Sequence, residues 1–363
     1  MRFSNREING LSEVKEIVVE DIYEYMRLFM DGKYSEYIFR GEPANYAETI
    51  SSGLREQKTP FIAMKNEFKR EIYHRLSSDE KADFLAFAQH HWIPTNLIDF
   101  TTAPLVALYF ACQPVESTDD KLNSNIGFVY LIDKNLIDIT DLISSHEDDN
   151  FLERLANDEE GIVLNLYKKL DAYEKKQPER MYHYFKTLYD DVEYYNNHYR
   201  GESNFPQYDG GEYKENLEFE YSSQNSKLLQ NIDNIFGGLN EVVIEYVLML
   251  QSFLRQTIIC KEPVYWLNCM PNFIYKPYLS FDRGRNQQGL FIYQAYLFYT
   301  DDVYNADILA RQRVWPEYAV VIKNKSQILK QLDFIGINDK FVYGDYDNIA
   351  KYIKSKYSVK VNG

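Results

Sequence analysis

Hydrophobic and polar positions along the chain follow two periods, which together predict a mixture of helices and strands. Apolar side chains recur every three or four residues in several stretches, which is typical of helices with one buried face. In the N-terminal part this helical spacing occurs at 14–31, 60–76, 79–91 and 103–112. Short runs of β-branched and aromatic residues predict strands at 37–39, 97–98 and 127–132.

The centre of the chain differs from both ends. Helical spacing dominates there, around a polar segment at 196–230 that is rich in Gly, Asn and Tyr. The helices of this region are predicted at 151–175, 179–195 and 240–256. Toward the C-terminus the pattern predicts two strands and then two helices, at 289–293, 318–322, 325–335 and 345–356.

This order predicts an α+β fold with a mixed sheet flanked by helices and interrupted by a helical insertion. We expect the insertion to be the tyrosine-rich part of the chain, and the alternatives for 180–221 are a lid, a protein-binding surface or a stretch without a function of its own. The predicted boundaries are 1–140 for the N-terminal part of the main domain, 141–270 for the insertion and 271–363 for the C-terminal part.

Charge and cysteine content narrow the classes of partner. The chain has 55 acidic and 40 basic residues among 363, a net charge of −15, which disfavours a broad nucleic-acid-binding surface. The three cysteines show no CxxC spacing, so neither a zinc site nor a disulfide framework is expected. The N-terminus lacks an apolar signal-peptide core, and the apolar run 242–250 is too short to span a bilayer. We therefore expect a cytoplasmic protein with no membrane contact.

Arg40 and Gly41 are the first candidate binding residues. They end the predicted strand at 37–39, and a cation at the end of a buried strand suits a phosphate or a carboxylate ligand. Gly41 would let the backbone approach such a ligand closely. The alternative is an ion pair between Arg40 and its neighbour Glu42, with no part in binding.

A second cluster contains His90, Asp99, Thr101 and Thr102. A histidine titrates near neutral pH, so His90 is a candidate acid or base, and Asp99 is a candidate pocket carboxylate. The alternatives are a helix C-terminal cation for His90 and a helix N-cap for Asp99. No metal is expected, because His90 and His91 are adjacent and would point in different directions.

In their order along the chain, these residues resemble the FRG domain family, which takes its name from the Phe39-Arg40-Gly41 tripeptide. The resemblance covers 20–140 and 275–355, and the chain departs from the usual pattern at Ala88, His91, Trp92 and Asn96. The further motifs that carry it are Gln89-His90, Pro94-Thr95, Leu97-Ile98-Asp99-Phe100-Thr101, Pro104-Leu105, Asn286-Gln287-Gln288-Gly289-Leu290-Phe291 and Gly336-Ile337. The family is mostly bacterial and phage-associated, which implies an effector linked to phage defence or toxicity.

A more distant resemblance is to the ADP-ribosyltransferase fold, and it implies NAD as the ligand. Those enzymes place an arginine or histidine at a strand end, a Ser/Thr motif before a small-residue helix, and a glutamate on a later strand. By this resemblance Arg40 would hold phosphate, Thr101 and Gln288 would hold the ribose, and His90 and Asp99 would take part in catalysis. Gln288 stands where the glutamate is usual, and it lacks the charge that stabilises a cationic transition state.

The resemblance therefore implies an NAD-binding protein, with ADP-ribosyl transfer or NAD cleavage as the expected activity. A non-catalytic module that binds a nucleotide or a protein through the same cleft is the alternative. A nuclease is less favoured, because the chain is acidic and shows no carboxylate cluster that would hold a metal.

Overall fold

A mixed eight-stranded sheet forms the centre of the computed structural model. The structure describes residues 14–46, 48–55, 60–115, 125–145, 150–158, 161–198, 238, 240–260, 269–278, 282–299 and 307–358. Within the sheet the strand order is β1-β10-β4-β2-β3-β7-β6-β5, and β8 and β9 form a separate hairpin. The strands are β1 Lys15–Val19, β2 Tyr37–Glu42, β3 Leu97–Thr101, β4 Gly127–Asp133, β5 Ile137–Asp138, β6 Phe273–Tyr275, β7 Gly289–Tyr293, β8 Tyr296–Tyr299, β9 Asp307–Arg311 and β10 Tyr318–Ile322.

The sheet is mixed because its two outer pairs, β1–β10 and β5–β6, are parallel while the inner pairs are antiparallel. Helices flank it, so the α+β prediction is confirmed. The helices of the first half are α1 Ile22–Met30, α2 Phe61–Ile72, α3 Ser78–Ala82, α4 Phe84–His90, α5 Pro104–Ala111, α6 Thr140–Ser145 and α7 Phe151–Asn157. Those of the second half are α8 Ile162–Glu174, α9 Pro178–His198, α10 Glu241–Cys260, α11 Asp282–Asn286, α12 Lys325–Phe334, α13 Asp339–Tyr343 and α14 Tyr346–Ser358.

Two hydrophobic clusters anchor the helices on the sheet. One joins α1, α5 and α12 to β4 and β10 through residues such as Tyr25, Leu108 and Val320. The other packs the helices from α7 through α10 against the strands β6 and β7, and Tyr167 and Phe273 are fully buried within it. The chain leaves the sheet at β5 and returns at the neighbouring β6.

Three helix predictions were wrong in detail, one of them at 151–175, which forms the two helices α7 and α8. Residues 14–31 do not form one helix, because 15–19 is an edge strand that pairs with β10 and α1 begins only after Asp21, whose side chain caps it. The β-branched run Ile17-Val18-Val19 suits an extended edge strand, and its apolar spacing also fits a helix. Residues 79–91 form two helices, α3 and α4, which meet at Asp83.

The polar, tyrosine-rich segment predicted at 196–230 lies outside the described residues from 199 onward. Its expected role as a lid or a partner surface stays a prediction, as do the three domain boundaries. Of the helices that the structure describes, none has the length and apolar character needed to cross a membrane.

Two glycines set the distance between α5 and the sheet. A Cβ on Gly41 would collide with the carbonyl oxygen of Ala107 and lie 2.7 Å from the backbone nitrogen of Ala111. On Gly127 of β4 it would lie 2.8 Å from the carbonyl carbon of Ala111. The backbone of α5 therefore rests directly on β2 and β4, and this contact fixes the position of β2.

Candidate functional site

The sheet opens between its two central strands, β2 and β3. They share a single bridge, between Phe39 and Thr101, whereas β2 pairs with β4 over six residues and β3 with β7 over five. Beyond that bridge the two strands separate, and the ladder hydrogen bonds between them are missing. Polar groups in such a gap need other partners.

Arg40 lies in this gap and supplies one of the missing donors. Its Nη1 donates to the backbone oxygen of Asp99 at 2.9 Å, and its Nε donates to Glu42 Oε1 at 3.0 Å. The hydroxyl of Thr49 donates to the same Glu42 oxygen at 3.0 Å. The Glu42 side chain is 4% exposed and that of Arg40 is 20% exposed. The ion pair with Glu42, which the sequence offered as the alternative to a binding role, is therefore present.

The ion pair does not use the whole guanidinium. Arginine has five N–H donors in a planar fork, and these two contacts use Nε and one hydrogen on Nη1. Arg40 also lines a cleft, to which the other donors of its guanidinium are available. A buried carboxylate that holds one side of the fork leaves the other side oriented for an anion.

The cleft consists of two adjoining chambers of about 220 and 40 Å³. Asp99, Phe100, Arg283 and Gln287 line both of them. The larger chamber is completed by Phe39, Arg40, Gly41, Thr101, Val106 and Phe110, and the smaller one by Gln89, His90, Gly284, Gly289, Leu290 and Phe291. The structure thus brings Arg40, Gly41, Asp99 and Thr101 together, with His90 next to them.

Asp99 projects an exposed carboxylate into the cleft. Gln89 at the end of α4 donates to its Oδ2 at 3.0 Å, and the Gln89 amide oxygen accepts from Thr95 at 2.5 Å. The N-cap alternative for Asp99 is wrong, because the N-cap of α5 is Ala103 and Asp99 lies within β3. Asp99 is therefore a cleft carboxylate positioned by an amide.

The remaining predicted residues have structural partners. Thr101 is buried, and its hydroxyl donates to the Gln287 carbonyl at 2.5 Å and accepts from Ala103 N at 2.9 Å. Thr102 donates to the side chain of Gln288 at 3.1 Å. Neither Thr102 nor Gln288 is among the residues that line the two chambers, and the amide that does line them is Gln287.

His90 lines the smaller chamber, and the pKa of its imidazole is unusual. Burial of the ring and, to a smaller extent, the nearby Arg283 cation lower the pKa of His90 to about 4. Burial also lowers the pKa of His91. His90 is therefore neutral at pH 7 and is able to accept a proton or a hydrogen bond at one ring nitrogen.

Arg283 was missed by sequence reasoning. It lies on α11, it lines both chambers, and its guanidinium carbon lies 4.9 Å from the ring centre of Trp92 and 5.3 Å from that of Tyr343. The wall that carries it is tied to α13, because Asn286 and Gln287 donate from their side chains to backbone oxygens of that helix. The only signal in the sequence was the Asp282-Arg283-Gly284-Arg285 stretch ahead of the Asn286-Gln287 motif.

Gly41 has a packing role that was not predicted, and its predicted role in ligand binding stays a prediction. It does line the cleft, but the space that its missing Cβ leaves is filled by the backbone of α5. The predicted close approach therefore occurs between the strand and a helix. Asn96, a position of departure from the family pattern, is also structural, since it is buried and donates to the Gln294 carbonyl at 3.1 Å.

A cavity of about 260 Å³ lies elsewhere, beside α9 and the segment before β10. Two arginines line it: Arg180 lies 3.5 Å from a Glu317 carboxylate oxygen and 3.7 Å from one of Asp133, and Arg313 lies 3.3 Å from one of Glu48. Both arginines are paired with carboxylates, and Glu179 and Glu317 also line the cavity, so it is less suited to an anion than the cleft at Arg40.

Comparison with known protein families identifies an FRG domain over residues 35–120. The resemblance read from the sequence is thus confirmed over that stretch, which is less than half of the chain. It contains Arg40, His90 and Asp99, whereas Arg283 and Gln287 lie outside it. Comparisons with curated proteins and with solved structures found no match.

Proposed function

We propose that the protein binds NAD or a related nucleotide in the cleft between β2 and β3, with the phosphates held by Arg40 and Arg283. The observation that carries this proposal is that two arginines line one cleft in an otherwise acidic protein. A net charge of −15 repels anions over the surface at large, so this local pair of cations is the feature that favours an anionic ligand.

The opening in the centre of the sheet supports the comparison with the ADP-ribosyltransferase fold. There, too, a strand-terminal arginine or histidine faces the ligand. In this protein Arg40 would take that part from within β2, two residues before the strand ends, where Glu42 and the Asp99 carbonyl hold it. Prior fixing of a binding group lowers the entropy cost of binding.

Two side chains of the cleft could take part in a reaction beside the proposed phosphate site. Asp99 offers a carboxylate, and His90 offers a neutral imidazole. The carboxylate would stabilise positive charge that develops on a ribose as nicotinamide leaves. NAD cleavage or ADP-ribosyl transfer would therefore depend on Asp99, because Gln288 is turned toward Thr102.

The placement of Gln288 favours the second candidate function, which is nucleotide binding without turnover. In that case the cleft would act as a sensor or a docking module. The link to phage defence or toxicity is proposed from the family resemblance alone, and growth of a host that expresses the protein would test it.

Calorimetric titration of NAD into the purified protein tests the binding proposal. Arg283→Met should weaken binding roughly ten- to a hundredfold, the value of one charge-assisted hydrogen-bonded contact. Arg285→Met is the matched control, because it removes the same charge from the same short helix at an exposed position that lines neither chamber. Equal affinity in both variants, or no binding to the wild type, would refute the proposal.

Mass spectrometry of NAD after incubation separates the two candidates. Release of nicotinamide by the wild type and its loss in Asp99→Asn would support an enzyme. Bound but intact NAD would support the binding module.

A further inference from the structure

Trp92 combines two features that are costly in a folded protein. It is 78% exposed, although tryptophan is large and apolar, and its backbone φ is +66°, in the left-handed region. A bulky side chain is rarely found there, and such backbone strain concentrates at functional sites. Neither feature helps the core, because Trp92 packs into none of the buried clusters.

The indole is tied to the cleft by Arg283. The guanidinium carbon of Arg283 lies 4.9 Å from the ring centre, while the same arginine lines both chambers. Arg283 covers one face of the ring, and the high exposure of Trp92 leaves the rest of the ring to solvent. An aromatic ring held beside a phosphate-binding cation is an arrangement that suits a nucleotide base.

The size of the cleft calls for such a second contact. The larger chamber holds about 220 Å³, below the roughly 300–1,000 Å³ typical of pockets that enclose a whole small-molecule ligand. A dinucleotide with its phosphates on Arg40 and Arg283 would therefore extend beyond the chambers. On the Arg283 side, Trp92 offers an aromatic ring that is exposed to solvent.

We propose that Trp92 is a stacking platform for the aromatic ring of the nucleotide, outside the chambers and held in place by Arg283. This inference rests on the proposed function. It makes Trp92 a residue that determines specificity, because it would distinguish a nucleotide from inorganic phosphates that bind the same two arginines.

The test compares NAD with inorganic pyrophosphate as ligands of the full chain. Trp92→Gly should weaken NAD binding about tenfold, within the range measured for one base stacked on an aromatic ring. It should leave pyrophosphate affinity unchanged. Trp92→Phe should retain most of the NAD affinity, since it keeps an aromatic face.

Stability provides an independent readout on the same variants. Glycine adopts positive φ without a steric penalty, so Trp92→Gly should raise the midpoint of urea denaturation while it lowers NAD affinity. Tyr278→Ala is the control, because it removes another aromatic side chain, 81% exposed, that lines neither chamber. It should leave the affinity for both ligands unchanged.

The outcomes separate the two proposals. Unchanged NAD affinity in Trp92→Gly, or an equal loss for NAD and pyrophosphate, would overturn the stacking role and leave the phosphate site standing. Failure of the wild type to bind either ligand would overturn the proposed function, and the stacking role with it.

Discussion

Removal of Arg40 should destabilise the protein through the carboxylate that it leaves behind. In Arg40→Met, the Glu42 side chain, 4% exposed, keeps the Thr49 hydroxyl but loses its ion pair with Arg40, and the Asp99 carbonyl loses a donor. Removal of one partner of a fully buried ion pair costs about 3–5 kcal/mol. Because Arg40 itself is 20% exposed, water reaches part of the pair, so we expect about 3 kcal/mol.

A double-mutant cycle isolates this interaction. Glu42→Gln keeps an oxygen that accepts from Arg40 and should cost only about 1–2 kcal/mol. In Arg40→Met/Glu42→Gln both charges of the pair are gone, so the cycle should give a coupling energy of about 2 kcal/mol. The free energies come from urea denaturation, followed by tryptophan fluorescence and by circular dichroism to check that the two transitions coincide.

The exposed pair Lys134–Glu36, with an N–O distance of 2.8 Å, is the matched control. Its cycle should give no more than about 0.5 kcal/mol, since solvent screens it. A coupling energy for Arg40 and Glu42 as small as the control value would refute the argument that a buried carboxylate positions Arg40. The double variant is also the proper one for ligand tests, because it removes the cation without leaving a buried charge.

Further predictions concern the cleft and its supports. Gly41→Ala should destabilise the fold by about 1–3 kcal/mol or prevent folding, because the new Cβ would meet the Ala107 carbonyl. Gly289→Ala, where the nearest atom is 3.7 Å away, should be nearly neutral in the same denaturation assay. Because the pKa of His90 is lowered to about 4, the unfolded chain binds a proton at this residue between pH 6.5 and 4 and the folded protein does not. The free energy of unfolding should therefore decrease as the pH is lowered through that window, and in His90→Gln it should decrease less. Identical pH profiles of the two proteins would contradict the neutral imidazole. Asp99→Asn removes a negative charge from the cleft, so NAD affinity measured by calorimetry should rise, and a decrease would show that the carboxylate contacts the ligand directly.

The sequence by itself determined most of the local structure and one wall of the site. The strands at 289–293 and 318–322 and the helix α5 follow from period and composition, and the structure has them at the predicted positions. Arg40 was identified because a cation at the end of a buried strand is costly unless it has a use, and Asp99 because it follows a predicted strand beside other polar residues. In the structure both strands run further, to Glu42 and Thr101, and include these two residues. Their chemistry is local, so the sequence shows it.

Only the tertiary structure decided which residues face one another. Arg283 lines the cleft because α11 packs against α13. Arg283 and Arg40 are more than 200 residues apart in the sequence, and no local pattern around Arg283 indicates that the two line the same cleft. Gln288 was predicted at the site, whereas the neighbouring Gln287 lines the cleft. The tertiary structure decides this too, because the turn before β7, where Gln288 has a φ of +46°, sets which of the two amides faces the cleft. Gly41 shows the limit most clearly, because the sequence indicates that a side chain is excluded there, and only the packing of α5 shows what excludes it.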